Sequence, residues 1–148
     1  MSKSYDPRMH SAEHILNQTM VRMFNKGRSF SAHIEKKKSK CDYHFDRNLT
    51  YDEKEKIQNT VNEVIKKELP VTEAFITREE AQKNFNLERL PDDAGNTIRI
   101  IRIGEYDACP CSGVHVNNTK QIGEFKIISS DFSNDVLRIR FKLLENKI

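Results

Sequence analysis

The chain has no apolar run approaching the 18 residues of a membrane-spanning helix. Its opening, Met-Ser-Lys-Ser-Tyr-Asp-Pro, lacks the apolar centre of a signal peptide. No membrane partner is therefore expected. Cysteine is scarce, with three among 148 residues. A small odd number is no disulfide framework, so a reducing, cytoplasmic setting fits best. No internal repeat, linker or low-complexity stretch divides the chain, which is expected to fold as one domain over residues 1–148. What it does have is charge: 32% of residues are Asp, Glu, Lys or Arg and 36% are hydrophobic, with a net charge of +3. That mildly basic balance admits a nucleic-acid partner without arguing for one.

Two short motifs carry chemistry. In Arg-Met-His-Ser-Ala-Glu-His, His10 and His14 stand four residues apart in the expected first helix. At about 3.6 residues per turn they share a face and can grip one metal ion. Nearly a hundred residues later, Cys-Pro-Cys-Ser-Gly-Val-His puts Cys111 and His115 in a second pair of the same spacing. The two pairs supply three His and one Cys, a zinc-type ligand set. The first is not the metalloprotease H-E-x-x-H, because Glu13 immediately precedes His14.

Asp6-Pro7 reads as an N-cap and first helical residue. Met9, Leu16, Met20, Met23 and Phe24 form the buried stripe of that helix, which Gly27 closes. Phe30 to Ile34 and Cys41 to Phe45 read as strands joined by a basic hairpin tip, Glu35-Lys-Lys-Lys-Ser-Lys40. Lys36, Lys37, Lys38 and Lys40 are the candidate phosphate contacts there. Thr50 to Glu53 is a capping box for a helix running to Pro70. Val71 to Ile76 is a strand, and Thr77 to Glu80 a second capping box for a short helix through Phe85. Residues 86–96 read as loop. Thr97 to Ile103, Phe125 to Ile128 and Val136 to Leu144 complete the strands, the last alternating Leu137, Ile139 and Phe141 with Arg138, Arg140 and Lys142. Without a regular βαβ alternation the fold class is α+β, a mainly antiparallel sheet packed with a long helix and the histidine-bearing first helix.

This order of parts resembles the editing domain of alanyl-tRNA synthetase, and still more its free-standing, short-form AlaX-type trans-editing relatives. It is also similar to the second additional domain shared with threonyl-tRNA synthetases. The likeness rests on His10-Ser-Ala-Glu-His14, on Phe45-Asp46, on the segment from Thr77 to Gln82, on Cys111-Ser-Gly-Val-His115 and on the stretch from Thr119 to Ile127. One departure is that the family's common Cys-Gly-Gly-Thr-His lacks a Gly and the Thr here. Spacing alone leaves Cys109 and Cys111 both open as the thiol ligand. The C-x-x-x-H frame favours Cys111, with Cys109 as a small buried residue.

The resemblance implies hydrolysis, in trans, of the ester joining a wrong amino acid, typically serine, to tRNA for alanine. It implies one zinc ion on His10, His14, Cys111 and His115, with His10 and His14 acting through a metal-bound water whose pKa falls to about 7. A hydroxyl side chain after the first helix would tell serine from alanine. Ser29 and Ser31 both lie there, and Ser31 is the residue carried forward. Two other readings stand beside this one. The first is a zinc hydrolase of another small ester or amide, and the second a non-catalytic RNA-binding module with structural zinc.

Overall fold

A computed structural model describes residues 6–85, 87 and 95–144. Helix α1 (Pro7–Phe24) starts as its sequence dictates: Asp6 Oδ1 accepts the Arg8 N–H at 2.9 Å and Pro7 opens the first turn. It ends two residues earlier than a Gly27 stop would place it. Asn25 is the left-handed cap, with φ 57° and its N–H on Val21 O at 2.9 Å. Asn is among the few side chains that tolerate that conformation. Met9, Ala12, Leu16 and Met20 are buried along one face, with Met23 and Phe24 packed at its end.

Strands β1 (Ser31–His33) and β2 (Ser39–His44) follow. Their turn is closed by Ser39 Oγ, which donates to Glu35 O and accepts from Glu35 N. Lys36, Lys37 and Lys38 are exposed on this turn, whereas Lys40 lies within β2, opposite His33 and Arg140. Helix α2 (Tyr51–Lys66) carries the full capping box between Thr50 and Glu53 and buries Ile57, Val61, Val64 and Ile65. It stops short of Pro70 because Glu68 turns left-handed at φ 55°. Then come β3 (Val71–Thr77), α3 (Arg78–Asn84), β4 (Thr97–Ile103) and β5 (Asp107–Pro110). A 3₁₀ turn at Thr119–Gln121 leads to β6 (Glu124–Ser133) and β7 (Val136–Leu144). Most of the loop expected over 86–96 lies outside the described residues.

The α+β class and antiparallel pairing hold, but one expected sheet is two: β1-β2-β7-β6 and β3-β4-β5. β5 was hidden in sequence, being four residues long and ending in Pro110. A proline is tolerated there because β5 is an edge strand. β6 outruns its expected end through a bulge between Ile127 and Ser129, which breaks the two-residue period and leaves Ile128 exposed. Asn134 and Asp135, both at positive φ, make the two-residue turn into β7. The main core lies between α1, α2 and the four-stranded sheet, around Tyr43, Phe125 and Phe141. A smaller one, Ala81, Ile98 and Ile100, sits under α3. No helix among the described residues is long and apolar enough to cross a membrane.

Helix α2 is fastened to the edge strand β6 by two side chains: Gln58 Oε1 accepts from Ile127 N at 2.9 Å, and Asn62 makes a paired contact. Asn62 Nδ2 donates to Phe125 O at 2.9 Å and its Oδ1 accepts from Phe125 N at 2.8 Å, so the amide imitates a neighbouring strand. Asn62→Ala orphans both main-chain groups at a part-buried position, a loss of about 1–3 kcal/mol. The urea midpoint should fall at unchanged slope. An unaltered midpoint would show that water replaces both bonds.

Candidate metal centre and its cavity

Four elements converge on one group of ligands. α1 presents His10 and His14 a turn apart. The chain leaving β5 is pinned to β4 by Arg99, whose backbone carbonyl accepts from Cys111 N at 3.1 Å. The Arg99 guanidinium donates to Cys111 O at 3.1 Å and to Gly113 O at 2.7 Å, and its Nε donates to Glu73 on β3. That clamp lays the following residues against α1, where Ser11 Oγ accepts from Val116 N at 3.2 Å and pairs with His115 Nδ1 at 3.0 Å.

The ligand atoms of His10, His14, Cys111 and His115 all lie within 4.8 Å of one another. Zinc–ligand bonds of about 2.0–2.3 Å separate tetrahedral ligands by roughly 3.3–3.8 Å, and Cys111 Sγ is 3.4 Å from His10 Nε2. The rings are oriented from outside. His10 Nδ1 stands 3.3 Å from Val114 O, which can only accept, so Nδ1 carries the proton and Nε2 keeps its lone pair. His115, bonded through Nδ1, leaves Nε2 buried without a hydrogen-bond partner. A buried imidazole nitrogen in that condition, beside a thiol, suits a metal ion. Asp107 Oδ2 lies 3.6 Å from His14 Nδ1, in the outer-shell position that orients ligating histidines.

Electrostatics sort the two cysteines. Burial works against a thiolate at Cys111, but the imidazoles of His10, His115 and His14 gathered around the sulfur outweigh it and hold the thiol near pKa 3. Gly113 N adds a bond to the sulfur at 3.4 Å. At Cys109 burial dominates and pushes the thiol up to about 12. Burial also disfavours charge on His14, yet Asp107 and Cys111 raise it to about 9. Burial and repulsion from the other two rings bring His115 down to about 4. Asp107, despite burial, is held at about 2 by His14 and Arg28. A cation entering this group displaces protons, as metal binding by such ligands requires.

Beside the cluster lies a cavity of about 670 Å³, lined in part by His10, Glu13, His14, Asn17, Cys109 and Cys111. Ser29 also lines it and is buried, its N–H donating to Asn17 Oδ1 at 3.1 Å. Ser31 is exposed on β1 and outside the lining; the four lysines of the β1–β2 hairpin are outside it too. The sequence reading missed Asp107, Arg28, Arg99 and Ser11. Asp107 had a signal: in β5, Asp107 and Cys109 share a two-residue period, which brings an acid into line with the first cysteine of the motif.

By fold and site this is an α+β domain in which, among the described residues, three histidines and one cysteine that could hold a metal ion gather beside a cavity. Residues 98–139 match the family described as the threonyl and alanyl tRNA synthetase second additional domain, a stretch that includes Cys111 and His115. The chain is 32% identical to the alanine–tRNA ligase of Methanocella arvoryzae over 144 residues, 94% of this chain and 16% of that protein. Against the alanine–tRNA ligase of Fervidobacterium nodosum the identity is 34% over 134 residues, covering 89% and 16%. With that of Aeropyrum pernix it is 32% over 139 residues, covering 90% and 15%. The chain is a homologue of part of alanyl-tRNA synthetase and spans about one sixth of the length of these curated relatives.

The thiol assignment is open to test by alkylation. In chelator-treated protein at about pH 6, iodoacetamide should modify Cys111 ahead of Cys109. A thiolate whose pKa lies well below the working pH is already fully ionised, so the Cys111 rate should stay nearly flat from about pH 5 to 8. An ordinary thiol gains roughly tenfold per unit over that range. Preferential labelling of Cys109 would reverse the assignment.

Proposed function

We propose that this domain hydrolyses mischarged aminoacyl-tRNA, with serine on tRNA for alanine as its substrate, using one zinc ion held by His10, His14, Cys111 and His115. The observation that carries the reading is the ligand cluster opening onto a cavity large enough for an aminoacyl ester, in a homologue of alanyl-tRNA synthetase. Zinc on these ligands supplies Lewis-acid polarisation of the ester carbonyl. The other roles fall to the chain. Glu13 is the buried carboxylate of the cavity. Its Oε2 is fixed by Asn17 Nδ2 at 3.2 Å, and its Oε1 lies 3.6 Å from His10 Nε2. It accepts the proton of the attacking water as the new C–O bond forms. The bond to the ribose oxygen then breaks, and the leaving oxygen takes that proton. Ser29, the buried hydroxyl of the lining, replaces Ser31 as the group that meets the substrate's hydroxyl. A polar group left unpaired when alanine enters costs on the order of 1–3 kcal/mol, about 5- to 150-fold in rate.

A second reading is favoured by one observation: four protein ligands complete a tetrahedron, as in structural zinc sites. The domain would then bind RNA without turnover. The test is single-turnover deacylation by the chain added in trans to Ser-tRNA and Ala-tRNA for alanine. Purified protein should hold about one zinc per chain. It should clear Ser-tRNA and spare Ala-tRNA. Metal removal or Cys111→Ala should abolish turnover, whereas Cys109→Ala should keep the metal. Glu13→Gln should slow the step about 100-fold or more. Ser29→Ala should narrow the gap between the two substrates. Equal wild-type rates on both would sink the editing reading, and binding without turnover would support the structural-zinc one. Hydrolysis of free serine esters but not Ser-tRNA would mark a small-ester hydrolase.

The lysines of the hairpin are proposed to bind tRNA phosphates. Lys36, Lys37 and Lys38 stand exposed together on the turn, with Lys40 behind them on β2. Neutralising all four should flatten the dependence of log K on log salt by roughly 0.7 to 0.9 for each phosphate no longer neutralised. An unchanged slope would leave them as solubilising charges.

A further inference from the structure

One exposed pair of rings is left unexplained by packing. Phe30 and His44 lie face to face, ring centroids 4.0 Å apart at 13°. Phe30 is 40% exposed and belongs to neither apolar core. The backbone holds the pair in place: Phe30 N donates to Asp42 O at 3.0 Å, and His44 is anchored opposite Val136 at the end of β2. Both rings line the cavity that holds the ligand cluster, together with Lys26 and Phe85. Phe75 is more exposed still, but it does not line this cavity.

We propose that the Phe30–His44 stack is a platform for a nucleobase, the 3′-terminal adenine of the acceptor end whose ester is cleaved. The inference rests on the deacylase reading for the identity of the base, and on geometry for the platform. In an aminoacyl-tRNA the ester and the terminal base are attached to the same ribose, so a carbonyl at the half-buried ligand cluster carries its adenine toward the exposed rings of the same cavity. An exposed, preorganised aromatic face is what a base requires there. Stacking on it needs no sequence readout, because every base offers a π face. Lys26, whose ammonium stands 3.7 Å from the exposed Asp46 carboxylate, supplies a cation on the same lining, as a polyanion's end demands. A purely apolar occupant would gain nothing from the lysine.

The probe is a short RNA with 2-aminopurine as its 3′-terminal base, which loses fluorescence on stacking. Wild type should quench it. Phe30→Ala, and Phe30→Leu with its apolar area largely kept, should bind it about tenfold more weakly. Phe30→Tyr should restore binding. In deacylation the Ala and Leu variants should raise KM about tenfold and leave kcat within about twofold, with an unchanged melting midpoint. Quenching by wild type without any deacylation would uphold the platform and overturn the deacylase. Deacylation by wild type, with quenching and KM indifferent to Phe30, would overturn the platform alone. An internal 2-aminopurine quenched as strongly as a terminal one would overturn the assignment to the terminal base.

Discussion

Asp107 joins parts of this molecule that lie far apart in the chain. From β5 it receives Arg28 Nη1 at 2.7 Å and Nη2 at 3.3 Å, takes Gln18 Nε2 at 2.9 Å, and faces His14 Nδ1 at 3.6 Å. The second sheet is thereby fastened to α1 and to the loop behind it. The polar contacts continue from there. Arg28 is followed by Ser29, whose N–H meets Asn17 Oδ1. The same oxygen accepts from the Tyr43 hydroxyl at 2.7 Å, and the amide nitrogen of Asn17 holds Glu13. A buried carboxylate is tolerable only when paired, and removing one partner of such a pair typically costs about 3–5 kcal/mol. The fold and the orientation of the ligand histidines thus hang on the same contacts.

The cluster also shows how a fold chooses between two like side chains. Cys109 and Cys111 are two residues apart and both half-buried. Cys109 lies near Asp107, which discourages a second negative charge, and its thiol donates to Pro110 O. Cys111 has passed the end of β5 and meets three imidazoles and an amide N–H. Nothing in the residue type separates them. The separation comes from where β5 ends.

Much of the local structure was legible in the residues. Asp6-Pro7, the Thr50 box and the alternation of β7 specify local hydrogen bonds and faces, and these formed where expected. The spacing of His10 with His14 and of Cys111 with His115 was legible for the same reason, since each pair lies within one turn or one short loop. The pairing of the two motifs follows from the chemistry of their side chains, and their candidate ligand atoms lie within 4.8 Å of one another. What escaped was long-range. Arg28 reaches Asp107 across 79 residues, and Ser11 reaches His115 across 104. A lone arginine or serine carries no mark of such a partner. The division into two sheets was equally hidden, because a four-residue edge strand ending in proline has too short a period to read. Ser29 and Ser31 share one composition and one neighbourhood in sequence, and only the approach of Asn17 turns the first inward.

The departure of the ligand loop from Cys-Gly-Gly-Thr-His has a physical account. The loop works through its main chain. Cys111 O and Gly113 O accept from Arg99, Gly113 N donates to the sulfur, Val114 O fixes the His10 ring, and Val116 N binds Ser11. The side chain of Val114 takes no part in these bonds and is 59% exposed, and Ser112 is exposed too. Exchanging Thr for Val and Gly for Ser at these positions therefore leaves every backbone contact to the ligands available. The two residues whose side chains must be kept, Cys111 and His115, are the two that are kept. A ligand set held by backbone geometry tolerates such changes in the residues between, provided that Arg99 on β4 still grips the loop.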